Sequence, residues 1–294
     1  MATDMYLRIF DVEHGACAMV FAPSGQRFAM IDSGDNATTG WRPSTYIKNV
    51  LKRNVLDYLF ITNADQDHIS DLDGLWEEGI TVKTLYRNRS PEPSILRRIK
   101  EAVCGLFGLT KDIKRYLHIH ETYNGPVETP FETGMDGVTC EVFCNTYPRF
   151  EDTNNLSLVV FINYGPFTIC FPGDLEEEGW LALLKNPAFV AALKRTKILV
   201  ASHHGRANGF CAEIFDHFTP LAVVISDKSI QHQTQIDIDY SLWSDQNGVI
   251  VNNESRRRHV LTTRRDGDIL FRVAPDGSFD VMTEVAEARS AVAA

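Results

Sequence analysis

The chain has 294 residues, enough for one large domain or two small ones. Its composition, 44% hydrophobic with 19 glycines and 12 prolines, excludes collagen, wholesale disorder and a disulfide-stapled miniprotein. Its net charge of −10 excludes a protein that coats nucleic acid by bulk electrostatics, because such a surface needs an excess of lysine and arginine.

Hydropathy and cysteine usage further restrict the class of protein and its cellular compartment. No stretch approaches the roughly 18–20 uninterrupted apolar residues that cross a bilayer, and the first residues hold no apolar run of signal-peptide length. The six cysteines are scattered and form no CxxC pair. We therefore expect a cytoplasmic protein with reduced cysteines and no membrane partner.

Short strands that end in polar residues open the chain. Apolar runs predict three strands, over 5–12, 16–22 and 27–31. The third leads directly into Asp32. A helix is predicted over 44–53 from its apolar spacing. The run 57–62 predicts a buried strand that continues into the polar sequence NADQDH at 63–68.

Residues 83–130 differ from the segments around them. The sequence SPEPS at 90–94 combines cap and proline signals that are typical of a helix start. Ile95, Ile99 and Val103 then recur at helical spacing. The segment therefore predicts a helical insert rather than a separate domain.

The second half of the chain alternates strands with helices. Strands are predicted over 138–143, 156–162, 167–171, 197–201 and 221–226. The last three lead into Asp174, into the pair His203-His204 and into Asp227-Lys228. Strands that first pair with their neighbours in the chain and later alternate with helices are typical of a layered αβ sandwich.

The C-terminal region predicts a final hairpin. The apolar runs 259–263 and 269–273 flank Asp266-Gly267, a sequence typical of a tight turn. Residues 281–294 predict a frayed tail.

Side chains that can do chemistry follow four buried strands directly. Polar residues at the ends of adjacent strands converge on one rim of a sheet, where ligands tend to bind. We expect Asp32, the segment 63–68, Asp174 and the His203-His204 pair to meet there. Two carboxylates and two imidazoles, one of them from either His203 or His204, then predict a four-ligand metal site with room for water.

The order of these motifs resembles the metallo-β-lactamase fold and, within it, the ComEC-like branch, named after the C-terminal hydrolase domain of a DNA-uptake channel. Six segments carry the resemblance: FDVEHG at 10–15, IDSG at 31–34, TNADQDHI at 62–69, NNLSLV at 154–159, PGDLE at 172–176 and SHHG at 202–205. The resemblance as a whole extends over about residues 5–230 and is interrupted by the insert.

The resemblance implies an α/β fold, an αββα sandwich of two mixed sheets flanked by helices. It implies a single domain over 1–280 with the helical insert at 83–130 and the tail at 281–294. Channel-type apolar segments are absent, so we expect a free-standing soluble hydrolase domain.

The resemblance supports one metal position well and a second one poorly. The ligands of the first position are Asp67, His68, Asp174 and His203. The second position has Asn63 and Asp65 where the family signature has histidines, with Asp174 as a bridge, and Asn154-Asn155 in the region of a further histidine. Because oxygen ligands favour harder ions, we expect one or two divalent ions, either Zn²⁺, Mn²⁺ or Mg²⁺.

Other residues at the rim are expected to support the ligands or to replace them. Asp32 is expected to orient the signature loop from behind. The remaining members of this group are His14, Asn155 and His204.

The reaction implied by the resemblance is hydrolysis of a phosphodiester, notably DNA, by metal-hydroxide attack. Asp67 is expected to take part in catalysis. Lys228 and His232 are expected to bind phosphate or to donate a proton to the leaving group.

Two alternatives stay open. One keeps the site and changes the substrate to a small phosphodiester, such as a nucleotide or a phosphocholine ester. The other is a non-catalytic binding subunit of a multi-protein, defence-type system, which the missing signature histidines favour.

Local charge supports an anionic substrate. Residues 83–115 hold nine bases and three acids, and residues 251–272 hold six bases and three acids. The arginines that we assign to substrate binding are Arg87, Arg89, Arg97 and Arg98. The insert at 83–130 is also the surface on which we expect a protein partner.

Overall fold

The computed structural model describes residues 3–124, 129–228, 237–252 and 254–284. Its strands are β1 (Met5–Ile9), β2 (Ala18–Phe21), β3 (Phe28–Ile31), β4 (Val55–Phe60), β5 (Thr81–Tyr86), β6 (Thr139–Cys144), β7 (Leu158–Tyr164), β8 (Phe167–Phe171), β9 (Ile198–Val200), β10 (Ala222–Ile225), β11 (Val249–Ile250), β12 (Arg257–Arg258), β13 (Val260–Thr262), β14 (Ile269–Val273) and β15 (Phe279–Thr283). Its α-helices are α1 (Pro43–Thr45), α2 (Gln66–Ile69), α3 (Leu72–Glu77), α4 (Pro93–Cys104), α5 (Lys111–Thr122), α6 (Phe131–Gly134), α7 (Glu177–Leu183), α8 (Pro187–Arg195), α9 (Asp237–Leu242) and α10 (Thr263–Asp266).

The described strands form two large mixed sheets. The first sheet has the order β15-β14-β1-β2-β3-β4-β5, in which β3, β4 and β5 are parallel and the other neighbours are antiparallel. The second has the order β13-β10-β9-β8-β7-β6, in which the first four strands are parallel. Strands β11 and β12 pair separately.

The inner faces of the two sheets share one apolar core. Leu7 and Phe60 of the first sheet pack in the same cluster as Val160 and Val224 of the second. Burial of this apolar surface is the main force that holds the two layers together.

Helices cover both outer faces. Ile113 and Leu117 of α5 pack over Leu59 of the first sheet. Trp180 of α7 and Phe189 of α8 pack over the outer face of the second sheet. This arrangement confirms the predicted αββα sandwich of two mixed sheets flanked by helices.

The insert contains a helical pair, which we define as α4, α5 and the 3₁₀ turn Gly105–Phe107 between them. Leu96 of α4 packs in the same apolar cluster as α5, so the pair lies on the outer face of the first sheet. The first residues of the predicted insert, Lys83 to Tyr86, belong to β5 instead.

The predicted C-terminal hairpin is wrong. β13 pairs with β10 in the second sheet, whereas β14 pairs with β1 and β15 in the first. The segment between them forms the short helix α10, whose Asp266 accepts a hydrogen bond from the backbone N–H of Thr262 at 2.9 Å. The chain therefore crosses between the sheets at this point, and β15 includes residues 281–283 that we had assigned to the tail.

Among the residues that the structure describes, no helix has the length and apolarity needed to cross a membrane.

Candidate metal centre

Five parallel strands bring polar residues to one edge of the sandwich. In the first sheet, β3 ends before Asp32 and β4 ends before the segment 61–65 that leads to α2. In the second sheet, Asp174, the turn Ser202–Gly205 and Ser226 follow β8, β9 and β10. The two sheets therefore deliver their strand ends to a common rim, as the positions in the sequence predict.

Four side chains at this rim form the candidate metal centre: Asp67, His68, Asp174 and His204. Each offers one ligand atom, and the four atoms lie within 4.8 Å of one another. His68 Nε2 lies 3.0 Å from Asp174 Oδ1, and His204 Nε2 lies 3.0 Å from Asp67 Oδ2 and 3.5 Å from Asp174 Oδ1. Each sheet thus contributes one carboxylate and one imidazole.

Asp32 holds the ring of His68 from behind. His68 Nδ1 lies 2.9 Å from Asp32 Oδ2, and the backbone N–H of Thr62 donates to Asp32 Oδ1 at 2.7 Å. The Thr62 hydroxyl donates to the same carboxylate. Because Nδ1 is engaged, Nε2 is the nitrogen that faces the centre.

The backbone of the His203-His204 turn decides which histidine enters the centre. Both residues have left-handed backbones, with φ of 49° and 55°, a costly conformation that is concentrated at functional sites. His204 Nδ1 lies 3.1 Å from the carbonyl oxygen of Ser226, which fixes the ring with Nε2 towards Asp67 and Asp174.

His203 lies outside the cluster, with Nδ1 3.6 Å from Glu176 Oε1. We had assigned His203 as the ligand, with His204 as its support or its alternative. The structure places His204 in the cluster and His203 beside Glu176, because the turn directs successive side chains to different neighbours.

Gly15 and Gly34 allow the Asp67 segment to approach closely. A Cβ atom at either glycine would lie 2.7 Å from the carbonyl oxygen of Asp67. Gly34 donates its backbone N–H to Ala16 at 2.9 Å, and Ser33 donates to the carbonyl oxygen of His68 at 2.8 Å. Both predicted motifs therefore need glycine for contact with the metal centre.

The four side chains shift one another's pKa. Burial alone would raise the pKa of both carboxyls, but the histidines outweigh it. The hydrogen bond and charge of His204, with the charge of His68, lower the pKa of Asp67, and the charges of the same two histidines lower the pKa of Asp174 to about 2. Burial would lower the pKa of His68 and His204, but carboxylates outweigh it. Asp174 and Asp32 raise the pKa of His68, and Asp174 and Asp67 raise the pKa of His204. The environment of the four-residue centre therefore favours positive charge.

Arg206 and His14 form the wall beside the centre. Arg206 Nη1 lies 3.2 Å from His203 Nε2, and Arg206 Nη2 lies 2.7 Å from His14 Nε2. The His14 ring centroid lies 4.3 Å from that of His204, and His14 Nε2 lies 3.8 Å from Asp67 Oδ2. His14 was expected at the rim, whereas Arg206 was not, although Arg206 directly follows the SHHG motif.

The residues proposed for a second metal position have other partners. Asn63 Nδ2 donates to Asn154 Oδ1 at 3.1 Å, and Asn63 Oδ1 accepts the backbone N–H of Asp65 at 3.2 Å. Asp65 forms an ion pair with Lys100 and accepts a hydrogen bond from Thr153 at 2.9 Å. The structure does not bring Asn63 or Asp65 into the four-residue cluster.

Asn155 ties the loop before β7 to α7. Its side chain accepts the backbone N–H of Gly179 at 3.0 Å and donates to Asp152 at 3.2 Å. It is buried and stabilises the packing of this loop against α7 behind the rim. Lys228 is partly exposed beyond the end of β10, and His232 lies outside the described residues.

Arg87 holds the helical pair to the sheet. It is 8% exposed. Its guanidinium donates to His120 Nδ1, to the carbonyl oxygen of His120 and to that of Tyr123, each at 3.2 Å. The structure therefore places Arg87 in the scaffold rather than on a surface that meets a substrate, and burial lowers the pKa of its guanidinium.

Arg89, Arg97 and Arg98 are exposed, as substrate binding requires. Arg98 lines a cavity of about 560 Å³ together with Asp65 and Asn154. This cavity lies between α4 and the loop before β7, on the Asp65 side of the rim.

Acids from elsewhere in the chain neutralise much of the local positive charge. The ion pairs between the two basic segments and acids outside them include Lys83–Asp57, Lys111–Glu77, Arg115–Asp73, Arg264–Asp227 and Arg272–Asp280. The charge count along the sequence therefore overstates the positive surface.

The donor set of the four-residue cluster fits a divalent ion. Histidines that bind metals engage their second ring nitrogen with a carboxylate or a carbonyl oxygen, which is the arrangement of His68 with Asp32 and of His204 with Ser226. Two imidazoles and two carboxylates suit Zn²⁺ or Mn²⁺.

No protein-family model matches this chain. ComE operon protein 3 of Bacillus subtilis (strain 168) is 22% identical over 236 residues, which cover 74% of this chain. The chain spans only 28% of the length of that relative.

Two solved structures are similar at low identity. A new diphosphatase from the PhnP family has a TM-score of 0.46 and 11% identity, with 92% of this chain and 99% of the other covered. A proposed metal-dependent hydrolase from Parabacteroides distasonis ATCC 8503 has a TM-score of 0.36 and 12% identity, with coverage of 74% and 80%. The chain itself is an αββα sandwich of two mixed sheets with helices on both outer faces and a histidine and aspartate cluster at the common edge of the sheets.

Proposed function

We propose that the chain is a metal-dependent hydrolase that cleaves phosphodiesters. The observation that supports this function is the four-residue centre, in which the second ring nitrogen of each histidine is already engaged. A divalent ion held there would lower the pKa of water and attract an anionic substrate.

The surrounding residues have separate roles in this proposal. Asp32 keeps His68 oriented, and Arg206 keeps His14 and His203 in place beside the centre. Burial lowers the pKa of His203, and the charge of Arg206 lowers it further, so its ring is neutral near pH 7 and can accept a proton. Lys228 stays assigned to phosphate binding or proton donation, as does His232.

DNA is the first candidate substrate, on the strength of the resemblance to the ComEC-like branch. The exposed Arg89, Arg97 and Arg98 support contacts with backbone phosphates. The alternative is a small phosphodiester. The ion pairs between the two basic segments and acids outside them favour it, since a long polyanion needs a broad positive surface.

Hydrolysis of three substrates distinguishes these readings. The purified chain, loaded in turn with Mn²⁺, Mg²⁺ and Zn²⁺, is assayed on single-stranded DNA, double-stranded DNA and bis-p-nitrophenyl phosphate. We expect cleavage that Asp174→Asn abolishes and that the exposed control Asp280→Asn retains. Cleavage of the small ester alone would favour the small substrate. Inactivity with all three ions would contradict the hydrolase.

A docking role for the helical pair is a second proposal. Leu106 and Phe107, in the turn between α4 and α5, are fully exposed. Two adjacent large apolar side chains that are left exposed favour a protein partner. The double variant Leu106→Ser, Phe107→Ser should lose a partner that wild type retains in affinity capture, and it should keep its metal affinity.

A cytoplasmic location completes the proposal. All six cysteines are free, three of them buried, which suits a reducing compartment.

A further inference from the structure

Lys100 occupies a position that the pattern of α4 assigns to the core. Leu96, one turn earlier on the same face, is 3% exposed, and Lys100 is 2% exposed. Burying an ammonium group is costly unless it is paired. Its partner is the carboxylate of Asp65, which also accepts the hydroxyl of Thr153 at 2.9 Å.

The Lys100–Asp65 pair lies beside the metal centre along the chain. Asp65 is the residue before α2, and Asp67 lies in the first turn of that helix. The backbone N–H of His68 donates to the carbonyl oxygen of Asp65 at 3.1 Å, so one hydrogen-bonded turn connects the pair with the centre.

The side chains that would have to bind a second ion already have other partners. The ammonium of Lys100 forms an ion pair with Asp65. The side-chain amide of Asn63 forms hydrogen bonds with Asn154 and with the backbone of Asp65. Within the described ranges, the His, Cys, Asp and Glu side chains that are grouped closely enough to hold an ion are those of the four-residue centre.

We propose that the chain binds one divalent ion, and that Lys100 of the helical pair is a resident cation that excludes a second ion from Asp65. This inference rests on the proposed metal centre and adds the number of ions and the residue that sets it. Lys100 is a positioning residue, because it acts through Asp65 and is buried away from the cavity.

Metal stoichiometry tests the inference without any turnover. Titration calorimetry and metal analysis with Mn²⁺ should give one ion per wild-type chain, with the electron paramagnetic resonance spectrum of an isolated Mn²⁺. Lys100→Met frees the Asp65 carboxylate and should allow a second, weaker Mn²⁺ to bind, with spin coupling between the two ions. The control Lys100→Arg keeps the charge and should still bind one.

The outcomes separate the two proposals. Two ions per wild-type chain overturn the inference and leave the metal centre standing. A single ion in both wild type and folded Lys100→Met overturns the role of Lys100. The absence of any bound ion overturns the metal centre and the inference together. If Lys100→Met fails to fold, the wild-type stoichiometry and the variant Lys100→Gln still decide, since glutamine also removes the charge from Asp65 but keeps a hydrogen-bond donor in the buried position.

Discussion

The Nε2 atom of His68 lies 3.0 Å from the Oδ1 atom of Asp174, although 106 residues separate them along the chain. His68 belongs to a helix on the first sheet, and Asp174 follows a strand of the second. The contact therefore forms only when both sheets have folded and packed.

Asp174→Asn should weaken Mn²⁺ and Zn²⁺ binding by at least about 100-fold, because it removes a charged ligand at the point where both histidines converge. Isothermal titration calorimetry measures the loss. Asp280→Asn, which alters an exposed ion pair with Arg272, is the matched control and should change nothing. Equal affinities for the two variants would remove Asp174 from the centre.

Asp32→Asn should weaken metal affinity about 10–100-fold while leaving all four ligands in the chain. The carboxylate receives hydrogen bonds from the backbone and hydroxyl of Thr62 and contacts His68 Nδ1, and an amide cannot satisfy three donors. Metal titration and the Tm of the variant check this. An unchanged affinity with a lowered Tm would show that Asp32 is only structural.

Metal affinity should rise with pH. The raised pKa values of His68 and His204 mean that these rings keep their protons above the usual histidine range, and binding must displace them. Each displaced proton changes the apparent affinity about tenfold per pH unit, until pH exceeds the raised pKa values. The carboxyls have lowered pKa values, so they stay ionised across this range. Titrations from pH 5.5 to 8.5 measure the slope, and a flat profile would contradict the assignment.

The contribution of His68 and His204 to the stability of the metal-free chain should fall as pH rises, in contrast to the metal affinity. A raised histidine pKa stabilises the folded state fully below the unfolded value of about 6.5, and this contribution is lost as pH rises through the folded value. Thermal unfolding in chelator over the same range should show a Tm contribution from these rings that falls with pH. Asp174→Asn should reduce this dependence.

Gly34→Ala should distort the centre without touching a ligand. Its Cβ would lie 2.7 Å from the carbonyl oxygen of Asp67 and 2.8 Å from that of Ala16, and such overpacking costs about 1–3 kcal/mol. Chemical denaturation and metal titration should both show a loss. Gly40→Ala has a positive φ of 74° but no neighbour within 4 Å, so it should lower stability and leave metal affinity unchanged.

Arg87→Met should destabilise the fold by about 1–3 kcal/mol, because it leaves His120 and Tyr123 without their buried donor. Arg98→Met, at an exposed position, should change stability by less than about 0.5 kcal/mol. Urea denaturation compares the two. If Arg87→Met were neutral in stability and raised KM instead, the original assignment to substrate binding would stand.

The sequence was informative where a strand end and a motif coincide. Asp32, Asp67 and Asp174 each follow a strand or begin a helix at the rim. The alternation of apolar runs with the polar residues that end them was therefore enough to predict that these aspartates lie together. The choice between His203 and His204 depended on a left-handed turn, which two adjacent identical residues do not encode in a readable way.

Other features depended on tertiary contacts that the chain order hides. Asp266-Gly267 has the composition of a hairpin turn, but its flanking strands found partners in different sheets. Arg87 and Lys100 were counted as surface charge, although the helical spacing of Lys100 from Leu96 was a signal that it faces the core.

The division of the centre between the two sheets has a mechanical consequence. Ligands from α2 and from the loops after β8 and β9 would be joined by one ion, which would act as a clasp across the open edge of the sandwich. The layers could then separate only after the clasp is released, so the loaded chain should unfold more slowly and resist proteolysis for longer than the chelated one.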